Sequence, residues 1–228
     1  MKKAFINSSL MLLLLITTQT FAQIKFGVKA GLNLSNMLAK DNDQTYSENF
    51  KMKPGFHVGA TVEFPIVKRF SFEAGLLLAT KGTKMNEKET FGNETSELKG
   101  KINLFYLDIP LTAKVTFDIG SAKIYGAFGP YLGIGLKGKS RIEITAMGET
   151  ETDNETIKFG SGDDQVKRLD YGLTAGAGVE INSAQIGISY GLGLANLNNN
   201  TDNGAKTQNR VLEISVGYKF GGKPKSNS

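Results

Sequence analysis

From Lys25 onward, apolar and polar residues alternate. Phe26, Val28, Ala30, Leu32 and Leu34 occupy even positions, and Lys25, Gly27, Lys29, Gly31 and Asn33 the odd ones. Successive residues of a strand face opposite sides, so this period of two predicts a strand with one apolar face. Seven more runs follow the rule, with apolar positions at Phe56–Phe64, Phe70–Leu78, Leu107–Phe117, Ile124–Leu136, Tyr171–Ile181, Ile186–Leu194 and Leu212–Phe220. Each run is about ten residues or longer, whereas strands of soluble proteins average about five or six. About 9 to 11 tilted residues cross a bilayer. No amphipathic-helix pattern competes after Ala22.

The connections alternate in length. Those near 39–53, 84–101, 138–168 and 195–208 are long and rich in Asn, Glu, Thr, Lys and Gly. Those near 65–68, 118–122 and 182–184 are tight. Short turns on one rim and long loops on the other are the layout of outer-membrane barrels. Hairpins in the second and third connections are expected to extend the barrel above the membrane, and Arg141-Ile142-Glu143-Ile144-Thr145, which alternates again, marks such an extension.

The two faces decide which kind of barrel this is. One face is almost purely Phe, Leu, Ile, Val, Ala and Tyr; the other mixes Gly with Lys, Glu, Asp, Thr, Ser, Tyr and Asn. A soluble lipocalin-like barrel also has eight up-and-down strands, but its outer face meets water. An eight-stranded interior is just wide enough to be filled by side chains, which suits the Gly-rich, charged face. A closed barrel also satisfies every backbone group in hydrocarbon. The expected fold is therefore all-β, an eight-stranded antiparallel up-and-down transmembrane β-barrel with its apolar face toward outer-membrane lipid.

The N-terminus changes the picture of where the chain works. Lys2 and Lys3 precede an apolar run, Leu10–Ile16, and then Thr17-Thr18-Gln19-Thr20-Phe21-Ala22. This is the layout of a secretory signal peptide cleaved after Ala22, and the run is too short to span a bilayer as a helix. The expected organisation is a signal peptide at 1–22, one barrel domain at 23–220 and a short polar tail at 221–228. Among 228 residues there is no Cys, no Trp and a single His. Disulfides, thiolate metal sites and multi-histidine metal sites are excluded. The formal charge of +5 drops to +3 without Lys2 and Lys3, which is no nucleic-acid footprint.

Several segments carry a family resemblance. Phe26-Gly27-Val28-Lys29-Ala30-Gly31-Leu32-Asn33-Leu34-Ser35 resembles the first strand of the Bacteroidota outer-membrane β-barrel family that includes PorT-like proteins. Tyr106-Leu107-Asp108-Ile109-Pro110-Leu111, Gly129-Pro130-Tyr131-Leu132-Gly133 and Gly217-Tyr218-Lys219-Phe220 are similar to its recurring pieces, in order along the chain. The resemblance implies a Gram-negative outer-membrane address. It also implies insertion by the barrel-assembly machinery, which reads a last strand ending in an aromatic residue. A role in a PorT-like protein secretion apparatus follows from it as an alternative function. Here Gly221 to Ser228 continue past Phe220, and Phe and Tyr would have to form the aromatic girdle without Trp.

Candidate chemistry is sparse, and no enzyme is expected. The charges on the lumen face near the short-turn end are Lys25, Lys29, Glu63, Glu73, Lys114, Lys123, Glu180, Glu213 and Lys219. Unpaired charge buried in a narrow barrel is costly, so these residues are expected to pair into a structural network. A gated path for ions or small solutes is the competing reading of the same charges. His57 stands alone on the lumen face and is expected to hydrogen-bond rather than hold a metal. Gly187-Ile188-Ser189-Tyr190-Gly191 has the letters of a nucleophile elbow but lies inside a strand rather than at a strand-to-helix turn. Acidic and Asn-rich stretches at 149–164 and 198–203 lack the spacing of a calcium loop. No cofactor or metal is expected. The long loops or the periplasmic rim are the expected places for a protein partner.

Overall fold

A computed structural model describes residues 24–91 and 94–221. The signal peptide expected at 1–22 and residues 222–228 of the tail lie outside the described residues. Among the described residues there are ten strands: β1 (Lys25–Lys40), β2 (Phe50–Lys51), β3 (Lys53–Val67), β4 (Phe70–Phe91), β5 (Glu94–Ile119), β6 (Ala122–Ala146), β7 (Glu149–Ile157), β8 (Leu169–Ile181), β9 (Ala184–Gly193) and β10 (Lys206–Phe220). Eight of them close a ring of antiparallel pairings in the order β1-β3-β4-β5-β6-β8-β9-β10 and back to β1. The closing seam runs from Phe26↔Phe220 to Lys40↔Lys206. The arrangement is barrel-like and has no open edge within the ring. Strands β2 and β7 are additional: they pair with β4 and β6 above the ring.

The alternation in sequence becomes an inside and an outside. Phe26, Leu32, Phe128 and Ile186 are each about 60% exposed, whereas Asn33, His57, Lys114 and Asp170 are almost fully buried. The apolar face thus points away from the ring and the polar face into it. The short turns sit at 68–69, 120–121 and 182–183. Two of them use left-handed backbone, at Gly120 (φ 60°) and Asn182 (φ 55°), as tight hairpins require.

The second long connection holds a hairpin, as anticipated, and is mostly strand. β4 and β5 stay paired from Phe70↔Val115 up to Phe91↔Glu94. Charged residues here broke the apolar alternation, but cross-strand pairing continues above the apolar band. The third connection holds the anticipated hairpin, β6–β7, paired from Gly138↔Ile157 to Ala146↔Glu149. Inside this upper storey, Met37, Leu104, Tyr106 and Leu197 form a small apolar core, with Phe50, Ile102, Ile157, Phe159 and Val166 packed against it. It caps the ring at its long-loop end.

Candidate functional site

The lumen is built in layers, because each strand delivers every second side chain inward. Nearest the short turns, three carboxylates (Glu63, Glu73 and Glu180) surround the ammonium groups of Lys114 and Lys219. Lys219 lies 2.6 Å from Glu180 Oε1 and 3.6 Å from Glu73 Oε2. Lys114 reaches Glu63 at 3.3 Å and Glu73 at 3.8 Å. Close ion pairs also join Lys114 to Glu180 and Lys219 to Glu63. Lys29 adds Glu73 at 2.7 Å, and Lys25 touches Glu63 at 3.5 Å. The Lys114 ammonium lies 4.0 Å from the centre of the Tyr125 ring, a cation–π contact. Six strands (β1, β3, β4, β5, β8 and β10) contribute charged side chains to this cluster, so it cross-braces the ring.

Glycine makes the room. Gly178 and Gly187 are paired across β8 and β9, and a Cβ at either would run into the Tyr125 hydroxyl. Gln185 Nε2 donates to that hydroxyl at 2.5 Å.

The next layer is held mainly by uncharged hydrogen-bonding groups. Asn33 Nδ2 donates to the carbonyls of Phe56 and Thr80, so its Oδ1 turns to His57 Nδ1 at 2.6 Å. Nδ1 must then carry the proton, and Nε2 accepts from Ser215 Oγ at 3.0 Å. His57 is thereby locked among protein partners. Ser189 Oγ donates to Glu213 at 2.9 Å in the same layer. Small cavities of about 70 and 40 Å³ flank Glu213.

A second charged layer lies above. Lys81 is 2.9 Å from both Asp108 Oδ1 and Asp170 Oδ2. Its ammonium is sandwiched between the rings of Tyr106 and Tyr131, at 4.8 and 4.4 Å from their centres. Asn209 Nδ2 donates to Asp170 at 2.9 Å. All three charged side chains are less than 10% exposed.

Of the residues expected in the network, Lys25, Lys29, Glu63, Glu73, Lys114, Glu180 and Lys219 come together. Lys123 does not: it sits at the exposed short-turn rim, 3.7 Å from Asp118. Its strand begins at Ala122, so position 123 lies too near the edge to reach the interior charges. Glu213 faces the lumen one layer higher and meets a hydroxyl instead of a cation. The Lys81–Asp108–Asp170 cluster is absent from the expectation. Asp108 and Asp170 carry the polar phase in sequence, but Lys81 continues a phase occupied by Leu77 and Ala79, which are also buried. The three meet only through ring closure. No group of three or more potential metal ligands converges among the described residues.

A ring with an apolar exterior, a charge-filled interior and one tall rim is the physical outline of an outer-membrane barrel. Residues 19–202 match the family model described as outer membrane protein beta-barrel domain. The chain belongs to that family. Solved structures similar to this one are distant. OprG from Pseudomonas aeruginosa shares 12% identity over 88% of this chain and 98% of its own, with a TM-score of 0.42. Ail of Yersinia pestis, crystallised with the heparin analogue sucrose octasulfate, shares 14% over 87% and 99%, with a TM-score of 0.38. Neisserial surface protein A shares 14% over 86% and 97%, also at 0.38. No curated protein matches the chain.

Proposed function

We propose that this chain is an integral outer-membrane barrel of eight spanning strands. It is exported by the leader at 1–22, inserted by the barrel-assembly machinery, and non-enzymatic. Its lumen is a structural plug, and its work is done by the tall outer rim. The observation that carries this reading is the pairing of an apolar exterior with a lumen closed by two charged layers and an apolar cap. On β5 the outward apolar residues run from Phe105 to Phe117. At about 3.3 Å per residue and a tilt of about 40°, they cover about 30 Å of height, the thickness of a hydrocarbon core.

The test is planar-bilayer recording on detergent-purified protein, beside gel mobility with and without boiling. A folded band that shifts on boiling, with no stable large conductance, supports the plug. A steady open channel would establish the pore reading instead. The PorT-like segments near Phe26 and Gly217 support a place beside a secretion apparatus as the second reading. A stoichiometric envelope partner retained in mild detergent would favour it.

A further inference from the structure

Above the apolar belt, the outer face of the sheet carries a transverse row of cations. Lys51 is paired with Lys84, Lys84 with Lys101, and Lys101 with Arg141. Residues directly opposite on antiparallel strands share a face, and like charges there repel. Four such positions in line, across β2, β4, β5 and β6, are therefore unfavourable unless something neutralises them. Arg141 has one carboxylate, Glu143, at 2.5 Å. Among the described residues, Lys51, Lys84 and Lys101 form no ion pair. The four cations line a single open cleft of about 490 Å³.

Height decides what the cleft meets. Lys137 is paired with Phe105, the last apolar residue of the β5 belt, and lies 4.7 Å from its ring centre. Lys139 pairs with Asn103 one step higher, and Arg141 with Lys101 one step above that. From Phe105 to Lys101 is about 13 Å along the strand, or about 10 Å of height. The headgroup layer occupies about 5 to 8 Å on each side of the hydrocarbon, and lysine ammoniums bend toward it on their flexible stems. The cations thus rise in tiers from the hydrocarbon edge at Lys137, through the headgroup zone at Lys139, to its outer margin at Lys101 and Arg141, whose long side chains reach down into it.

We propose that this face binds the phosphate groups of an anionic lipid headgroup in the outer leaflet, held between Lys84, Lys101 and Arg141. The inference rests on the membrane reading above. Continuity with the apolar belt favours a lipid over a soluble anion, since one molecule can then fill the cleft and lie against Phe105 and Leu107.

The experiment uses the full mature chain in zwitterionic detergent, with diphosphorylated lipid A as probe and its dephosphorylated form as control. The wild type is expected to bind the phosphorylated lipid at least about tenfold more tightly than the control. A Lys84→Gln/Lys101→Gln variant should lose that preference, and so should the wild type at high salt. Both substituted side chains are exposed and repel each other, so the variant should keep its heat-shifted band without lipid. A heat-shifting barrel that binds both lipids equally, or a variant that binds like wild type, overturns the inference alone. Dextran sulfate competing as strongly as lipid A overturns the lipid source. A protein that stays soluble without detergent and shows no heat shift overturns both this inference and the membrane reading.

Discussion

Replacing Lys81 by Met should be among the most damaging single changes in the lumen. Lys81 is 3% exposed and is the cation shared by Asp108 and Asp170, each at 2.9 Å. Met keeps most of the side-chain volume and the packing between Tyr106 and Tyr131, so the perturbation is electrostatic. It leaves two neighbouring carboxylates buried without their counter-ion. Removing one partner of a buried pair costs about 3 to 5 kcal/mol. With a urea slope of about 2 kcal/mol/M, the unfolding midpoint should fall by about 1.5 to 2.5 M. Lys25→Met is the internal control. Its pair with Glu63 is 3.5 Å long with a partly exposed lysine, so it should cost less than about 1 kcal/mol. The assay is urea unfolding of the folded protein in detergent, followed by the loss of the heat-shifted band. Adding Asp108→Asn and Asp170→Asn to Lys81→Met should recover at least half of the loss, because a neutral set leaves no charge uncompensated. Equal midpoints for Lys81→Met and Lys25→Met would refute the argument that burial sets the value of these ions. Failure of the triple variant to recover would refute the assignment of the loss to stranded carboxylates.

His57→Ala should cost about 1 to 3 kcal/mol in the same assay, since Asn33 Oδ1 and Ser215 Oγ lose their partner together in the wall of the lumen. Gly178→Val should destabilise by about 1 to 3 kcal/mol, because the added carbons meet the Tyr125 hydroxyl and the Ile186 carbonyl, and the latter belongs to the backbone. Tyr125→Phe in that background should restore less than half, as the Ile186 clash remains. In the first long loop, Tyr46 Oη donates to Asp41 Oδ2 at 2.5 Å, and the amides of Gln44 and Asp43 donate to Oδ1. These bonds, the Tyr46 one foremost, hold the Asp41 carboxyl below its ordinary value of 3.8. A depressed carboxylate supports the folded loop above its unfolded pKa and loses that support as pH falls through the lower folded value. Cleavage of the 41–49 loop by an acid-stable protease should therefore rise only below about pH 3.8, and Asp41→Asn should raise it at pH 5. Unchanged cleavage in that variant would show that the loop is held elsewhere.

Strand number in the ring, the inside–outside division and the short-turn rim were legible from the sequence, since period two and turn residues are local signals. Leu32 and Asn33 reveal opposite faces without any knowledge of neighbours. The upper storey was half legible. Arg141–Thr145 alternates and becomes the upper part of β6; a hairpin was expected at 84–101 too, but charges on both phases of 84–91 and 94–101 left its length and register without a pattern. The two-residue strand β2 has no pattern to detect.

The lumen shows where local signals end. The alternation alone put Glu63, Glu73, Lys114 and Glu180 on the inner face, and the cost of burying charge required them to find partners. Which partner each takes depends on stagger between strands that are distant in sequence: Lys114 meets Glu63 from 51 residues away, and Lys219 meets it from 156. Lys123 and Glu213 have the same local signature, yet one ends at the rim and the other beside a serine. Lys81 joins Asp108 and Asp170 for the same reason, and the cation row on the outer face exists only because pairing aligns Lys51, Lys84, Lys101 and Arg141 at one level. Facing direction is a property of the residue and its two neighbours, so the sequence by itself determined it. Height and partner are properties of closure, which couples the register of all eight strands at once, and only the tertiary structure decided those.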